Sequence, residues 1–254
     1  MSDWFTVEQL DPDTYAISEY AHWEQPHCYL LCGTKRALLI DTGLGVADLR
    51  AVVRQLTTLP VTVATTHVHW DHIGGHGLFK DITVHPAERH WLGGQFPLPP
   101  AVVRQNLTRR PCAFPEGFDP QNYRVFQGAP NRCVEDEDWF DLGNRRIQVL
   151  HTPGHSPGHC CFYEPQRKTL YSGDLIYAGK LDAFYPTTDP QAFGRSVQRM
   201  SSLPIQAVRP GHFSLQVTSA LIGAVADAFT SLEHDGKLQQ GSGVYHFNSF
   251  CIHL

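Results

Sequence analysis

Three features are missing from the sequence, and each absence excludes a class of protein. No apolar run approaches the roughly 18 residues of a membrane-spanning helix, so we expect no membrane partner. Basic residues are in the minority, with 20 Lys and Arg against 25 Asp and Glu, which argues against a nucleic-acid surface. The seven cysteines are odd in number and follow neither disulfide-framework nor zinc-ribbon spacing, so reduced thiols are the simplest interpretation.

The remaining composition is that of a globular protein. The 254 residues are 42% hydrophobic and 18% charged, with a formal net charge of −5. A chain of this length buries a large core, and no low-complexity linker divides it, so we predict a single domain over residues 1–254. The acidic start MSDWFTVEQLDPD lacks the apolar core of a secretory signal, which predicts a cytoplasmic location. A secreted protein whose signal has been removed is the alternative.

Strands and helices alternate along the chain, which predicts an α/β protein with mixed sheets. Strands are predicted at 14–19, 28–32, 37–40, 61–65, 146–150, 160–163, 169–172 and 206–209, with a weak edge strand over 244–252. Three helices are predicted: one over 46–56, one that begins at Asp189-Pro190, and one over 221–232. Residues 86–140 are rich in proline and aromatic residues, and we interpret them as an excursion from this scaffold.

The 15 histidines are grouped rather than scattered, and the densest group follows the strand predicted at 61–65. It reads His67-Val-His69-Trp-Asp71-His72, and Gly74 and Gly75 then allow a sharp turn. On an extended segment His67 and His69 share one side, whereas Asp71 and His72 turn toward a second position. Four potential ligands within six residues exceed what one tetrahedral ion takes beside other ligands, which indicates a pair of metal ions.

Further metal-ligand candidates follow later strands. His155 lies in the Pro- and Gly-rich turn TPGHSPGH, Asp174 ends an apolar run, and His212 follows Pro-Gly. Each is a polar side chain at the end of a strand, where a rigid scaffold can hold it. The count is seven ligands, and one bridging carboxylate makes eight coordination places.

With these motifs in this order, the sequence resembles the metallo-β-lactamase-fold superfamily of metal-dependent hydrolases, from Asp41 to His212. The resemblance implies a four-layer αββα sandwich of two mixed β-sheets flanked by helices. It implies that Asp41 supports the ligand segment from behind, and His76 and His159 are interpreted as supporting residues rather than catalytic ones. Carried over residue by residue, it implies a first ion bound by His67, His69 and His155, a second by Asp71, His72 and His212, and Asp174 as the bridge.

From this ligand set we predict a hydrolase. A hydroxide bound to both metal ions would attack the carbonyl of a small substrate. Asp71 and Tyr177 are the residues predicted to act in catalysis. Tyr177 follows Asp174 in a pattern similar to the Asp-x-x-Tyr of N-acyl homoserine lactonases, which implies a phenol facing the carbonyl. The alternative is a tyrosine that packs at the strand end.

The substrate predicted from the sequence is an ester, lactone or thioester, and Tyr177 favours a carboxylic ester or a lactone. A mononuclear iron enzyme similar to sulfur dioxygenases, a β-lactam or phosphodiester hydrolase of the same fold, and a non-catalytic metal-binding protein remain alternatives. Imidazole and carboxylate ligands favour two Zn²⁺ ions per chain, with Fe, Mn or Co as alternatives. The sequence does not determine the oligomeric state, and a homodimer is the alternative to a monomer.

Overall fold

The computed structural model describes residues 4–254, which divide into two compact units. The first unit extends to Val134 and includes Asp141–Arg145, and the second contains Glu135–Phe140 and Arg146–Leu254. Mixed β-sheets and helices build the chain, which confirms the predicted fold class. The single domain over residues 1–254 stays a prediction. Within the described residues, no helix combines the length and apolar character needed to cross a membrane.

The first unit contains a seven-stranded sheet whose strands lie in chain order. Strands β1 to β4 pair antiparallel, and β4 to β7 pair parallel. Parallel pairing places the carboxyl ends of β4, β5 and β6 at one edge of the sheet, where the chain leaves toward the His-rich segment. The strands are β1 (Thr6–Asp11), β2 (Thr14–Ser18), β3 (His27–Cys32), β4 (Ala37–Ile40), β5 (Val61–Ala64), β6 (Ile82–Val84) and β7 (Arg132–Cys133).

Four α-helices belong to this unit: α1 (Leu49–Leu56), α2 (Trp70–Ile73), α3 (Arg89–Leu92) and α4 (Pro100–Leu107). Short 3-10 turns cover His76–Leu78, Pro86–Glu88 and Pro120–Asn122. Helix α1 begins after Asp48, whose side chain accepts a hydrogen bond from the Ala51 amide, and it buries Leu49, Val52 and Val53 against the sheet core. This burial matches the helical spacing of apolar residues in the sequence.

The second unit contains a five-stranded sheet in the order β13-β11-β10-β9-β8 and a three-stranded sheet in the order β12-β15-β14. Helix α5 begins with Asp189 as its N-cap and Pro190 as its first residue, which confirms the predicted start. Phe193 of this helix stacks on Phe229 of the last helix, with ring centroids 4.9 Å apart. The elements are β8 (Trp139–Asp141), β9 (Arg146–His151), β10 (Cys160–Glu164), β11 (Thr169–Gly173), β12 (Lys180–Asp182), α5 (Pro190–Ser201), β13 (Ala207–Pro210), α6 (Ala220–His234), β14 (Val244–His246) and β15 (Cys251–His253).

Several regions outside the excursion differ from the sequence prediction, including the three-residue strands β6 and β12, which were not predicted. Strand β1 was not predicted, because it is largely half-exposed and lacks a clean alternation of apolar residues. The predicted edge strand over 244–252 is wrong as one element: β14 and β15 are two antiparallel strands, and Phe247 stacks on Phe250 in the connection between them. The segment predicted as a loop after β5 contains helix α2, which begins directly after the extended His69.

The excursion predicted at about 86–140 is partly tied into the sheets. Strand β7 pairs with β6, and β8 belongs to the five-stranded sheet. Its aromatic residues Phe114, Phe118 and Tyr123 pack in one cluster with Trp70 of α2. The Tyr123 hydroxyl donates to the Leu44 carbonyl oxygen at 2.7 Å, which anchors the excursion on the loop after β4.

Candidate metal centre

The four candidate ligands after β5 divide between two kinds of backbone. His67 and His69 lie on an extended segment, and His69 itself is extended at φ −109° and ψ 156°. Asp71 and His72 lie in the single turn of α2, and the His72 ring centroid is 4.3 Å from that of His67. His67, Asp71 and His72 are buried, whereas His69 is half-buried. The motif thus joins an extended half to a helical half, and its division between two metal positions stays a prediction.

Distances within this segment are short enough for shared ions. The His67 Nε2 and His69 Nδ1 atoms are 2.9 Å apart. A ligand atom of His67 also lies within 4.8 Å of one of His72, and the same limit holds for Asp71 and His72. Nitrogen and oxygen atoms bound about 2.0–2.2 Å from one Zn²⁺ are separated by distances of this order.

Asp41 lies directly after β4 and holds the segment from behind. Its Oδ1 accepts from the Thr66 amide at 2.7 Å, and its Oδ2 accepts from the Thr66 hydroxyl at 2.7 Å and faces His72 Nδ1 at 2.9 Å. Asp41 has a φ of +60°, a left-handed conformation that Asp tolerates better than most residues. Because a carboxylate only accepts hydrogen bonds, it keeps the His72 proton on Nδ1, and a metal would be held through Nε2.

Glycines let the loop after β4 approach α2 at backbone distance. The Gly74 amide donates to the Gly43 carbonyl oxygen, and the Thr42 amide donates to the His72 carbonyl oxygen, each at 2.8 Å. A Cβ on Gly45, which has a φ of +71°, would lie 2.3 Å from the Gly74 carbonyl carbon. Side chains at these positions would push the two loops apart.

Glu19 is a buried carboxylate that the sequence interpretation missed. It accepts hydrogen bonds from the Trp4 indole and, at 2.8 Å, from the Leu44 amide, so it anchors the same loop. Burial, with a smaller contribution from the charge of Asp71, raises the pKa of Glu19 to about 7. No motif marks this residue, because its partners are a backbone amide and an indole distant in sequence.

The second unit brings His155, Asp174 and His212 together after β9, β11 and β13. His155 Nε2 lies 3.4 Å from Asp174 Oδ2, and His212 Nε2 lies 3.1 Å from Asp174 Oδ1. The carboxylate thus presents one oxygen to each imidazole. His155 Nδ1 lies 3.1 Å from the Asp182 carbonyl oxygen, which orients the ring from its other side.

His76 and His159 hold backbone and hydroxyl groups near the candidate ligands. The Asp174 amide donates to His159 Nε2 at 3.1 Å, and the other nitrogen of His159 bonds the Thr152 hydroxyl at 2.8 Å. His76 bonds the hydroxyls of Thr42 and Thr65 through its two nitrogens. Burial lowers the pKa of His76 to about 3, so its ring is neutral at physiological pH. This geometry suits the supporting roles that the sequence indicates.

Tyr177 lies in the second unit with its ring centroid 5.6 Å from that of His212. The side chain is buried, and its hydroxyl donates to the Lys180 carbonyl oxygen. To donate to a substrate carbonyl, the phenol would have to give up this hydrogen bond. Its catalytic role stays a prediction.

The donor atoms of both units suit divalent metal ions. Imidazole nitrogens and carboxylate oxygens are ligands of Zn²⁺ and also of Fe, Mn and Co. In His72 and His155 the Nδ1 atom is held by a protein oxygen, which is typical of histidines that bind metal through Nε2. The residues of each unit are therefore compatible with metal binding, and the donor set does not select one metal.

The sequence model of the metallo-beta-lactamase superfamily matches residues 22–212 of this chain. The acyl-coenzyme A thioesterase MBLAC2 of Gallus gallus is 30% identical over 230 residues, which cover 84% of this chain and 82% of the relative. A crystal structure of a metallo-beta-lactamase family protein from Thermus thermophilus has a TM-score of 0.66 at 22% identity, covering 89% of this chain and 82% of that one. The structure of TTHA1623 in a di-iron-bound form has a TM-score of 0.59 at 27% identity, covering 86% of this chain and 96% of that one.

Proposed function

The chain belongs to the metallo-β-lactamase superfamily, and from that premise we propose that it hydrolyses a small thioester, lactone or ester at a site holding two metal ions. Its class, a metallo-hydrolase, follows from the family and the thioesterase relatives. We propose acyl-coenzyme A thioesters as the first substrate class. The observation that carries this choice is the similarity to the Gallus gallus thioesterase over 84% of this chain.

The proposed ligand set is the one that the sequence predicts. The arrangement within each unit supports it, because the His67 and His69 nitrogens lie 2.9 Å apart and the two Asp174 oxygens each face a different imidazole. In this proposal, His67, His69 and His155 hold one ion, Asp71, His72 and His212 hold the second, and Asp174 is shared. Zn²⁺ is the first choice of metal.

When bound, two such ions lower the pKa of a shared water and polarise a carbonyl, which is the chemistry that thioester hydrolysis needs. The protein residues supply position and selectivity. Asp41 keeps the His72 proton on Nδ1 and so fixes which nitrogen faces the ion. The Tyr177 phenol would donate to the developing oxyanion once released from Lys180. The aromatic excursion, packed on Trp70 beside Asp71, would contact the substrate and set its selectivity.

Metal analysis and a substrate panel test this proposal. We expect elemental analysis of the purified protein to find two divalent ions per chain. Acyl-coenzyme A thioesters, lactones, β-lactams and phosphodiesters are then assayed, with thioesters turned over fastest. We expect His67→Ala and Asp174→Ala to reduce turnover to about a hundredth or less, because each removes a ligand. The controls are His234→Ala and Asp227→Ala, which make the same changes at exposed positions of α6.

Several outcomes would contradict the proposal. Fully metal-loaded protein that turns over none of these substrates would return the non-catalytic alternative. A single iron per chain with oxygen uptake would instead support the dioxygenase alternative. Two iron ions with thioester turnover would leave the proposed reaction unchanged and alter only the identity of the metal. The similarity to a di-iron structure is the reason to measure iron as well as zinc.

The cytoplasmic location and the homodimer stay predictions. Light scattering of the purified protein tests the homodimer.

A further inference from the structure

The segment that follows β6 places two buried side chains behind the His-rich segment. The 3-10 turn Pro86–Glu88 continues directly into helix α3, so Glu88 and Trp91 are separated by about one helical turn and face the same way. The Trp91 ring lies parallel to the His69 ring, with centroids 6.4 Å apart and an interplanar angle of 11°. Glu88 is fully buried, and its Oε2 accepts a hydrogen bond from the Val68 amide at 2.5 Å.

Val68 is the residue between two proposed ligands, which gives this hydrogen bond its importance. The Val68 amide belongs to the peptide that joins it to His67, so an acceptor there restrains the torsions on both sides of that peptide. The Val68 side chain is buried in the core of the unit. Because side chains alternate along an extended segment, fixing Val68 inward sets His67 and His69 together on the opposite side.

We propose that Glu88 is a positioning residue that holds the Val68 peptide, so that His67 and His69 are arranged for metal binding before the metal arrives. Asp41 supports the same segment at Thr66 and His72, on either side of Val68. The ligand segment is thus held at three points by two buried carboxylates. The inference rests on the proposed function only in taking His67 and His69 as ligands of one ion.

Two substitutions of Glu88 distinguish the effect of its hydrogen bond from the effects of its charge and its packing. Glu88→Gln keeps an oxygen that can accept from the Val68 amide, whereas Glu88→Met fills a similar volume without an acceptor. Zinc affinity is measured by chelator competition, with no substrate present. We expect Glu88→Met to weaken zinc binding about 10–100-fold, and Glu88→Gln to stay within about threefold of wild type. Glu164→Gln and Glu164→Met are the matched controls, because Glu164 is also fully buried and lies at the end of β10 away from His159.

The proposal would be overturned if Glu88→Met bound zinc with wild-type affinity. It would also be overturned if Glu88→Gln and Glu88→Met weakened zinc binding equally, because loss of the charge alone would then explain the effect. Amide hydrogen exchange of the metal-free wild-type protein gives a test that does not depend on any variant folding. We expect slow exchange at Val68, and exchange at the rate of an open loop would also overturn the proposal. Wild-type protein that binds two zinc ions but hydrolyses nothing would contradict the proposed function and leave this test valid.

Discussion

The buried Glu19 carboxylate makes a specific prediction about pH and stability. Its pKa is raised from an ordinary value of 4.5 to about 7, mainly because burial removes water from the charged form. The folded chain therefore binds this proton more tightly than the unfolded chain. The difference corresponds to about 3 kcal/mol, at about 1.4 kcal/mol for each tenfold change in proton affinity.

The sign follows from which state loses the proton first. Below pH 4.5 both states carry the proton, and the contribution of Glu19 to stability is fully present. As the pH rises from 4.5 to about 7 the unfolded chain ionises first, so the free energy of unfolding falls by up to about 3 kcal/mol. Above that range both states are ionised, and the loss is complete.

Urea unfolding of the metal-free protein measures this effect, with Glu19→Gln as the perturbation. Gln cannot ionise, so the wild-type free energy of unfolding minus that of the variant should fall by about 3 kcal/mol between pH 4.5 and 8. Taking the difference removes the other titrating groups, and Glu116→Gln, at an exposed position, controls for the loss of a carboxylate elsewhere. A difference that stays constant with pH, or that rises, would refute the reasoning.

Three further outcomes are expected. Asp41→Ala should weaken zinc binding about 10–100-fold in chelator competition, because the ligand segment loses its support, and unchanged affinity would contradict that role. Gly74→Ala should lower the free energy of unfolding by about 1–3 kcal/mol in urea, because its Cβ would lie 2.1 Å from the Leu44 carbonyl oxygen. Gly223→Ala, in open space on α6, should instead raise it by about 0.5–1 kcal/mol, and equal effects would count against the steric argument. Chelating the metal should lower the free energy of unfolding by about 3 kcal/mol relative to protein in metal at about 100 times the dissociation constant, and a thermal midpoint unaffected by chelator would contradict metal binding.

Sequence reasoning succeeds here where chemistry or periodicity is written locally. The spacing of His67, His69, Asp71 and His72 within six residues identifies the candidate ligand segment without knowledge of the fold. Helix α5 is predicted from Asp189-Pro190 because capping depends on neighbouring residues. Buried strands such as β4 and β11 are found because every position in them is apolar or small enough to be enclosed.

Sequence reasoning fails where a side chain bonds to the backbone of a residue that is distant in sequence. Glu19 and Glu88 are single carboxylates whose partners include the amides of Leu44 and Val68, 25 and 20 residues away in sequence. An amide carries no residue-specific signal, so nothing in the chain marks these contacts. Strand β1 fails for a related reason, because an edge strand needs only one partner and its side chains remain largely half-exposed.

The candidate ligands of each unit are supported by residues of that same unit, and by different chemistry. The first unit uses carboxylates, with Asp41 bonded to His72 and Glu88 to the peptide beside His67. The second uses neutral groups, a carbonyl oxygen behind His155 and the His159 imidazole at the Asp174 amide. A carboxylate makes the imidazole that it contacts more basic, whereas a carbonyl orients the ring with less change in charge. Removing Asp41 should therefore change both metal affinity and its pH dependence, whereas removing Glu88 or a support of the second unit should change mainly the affinity.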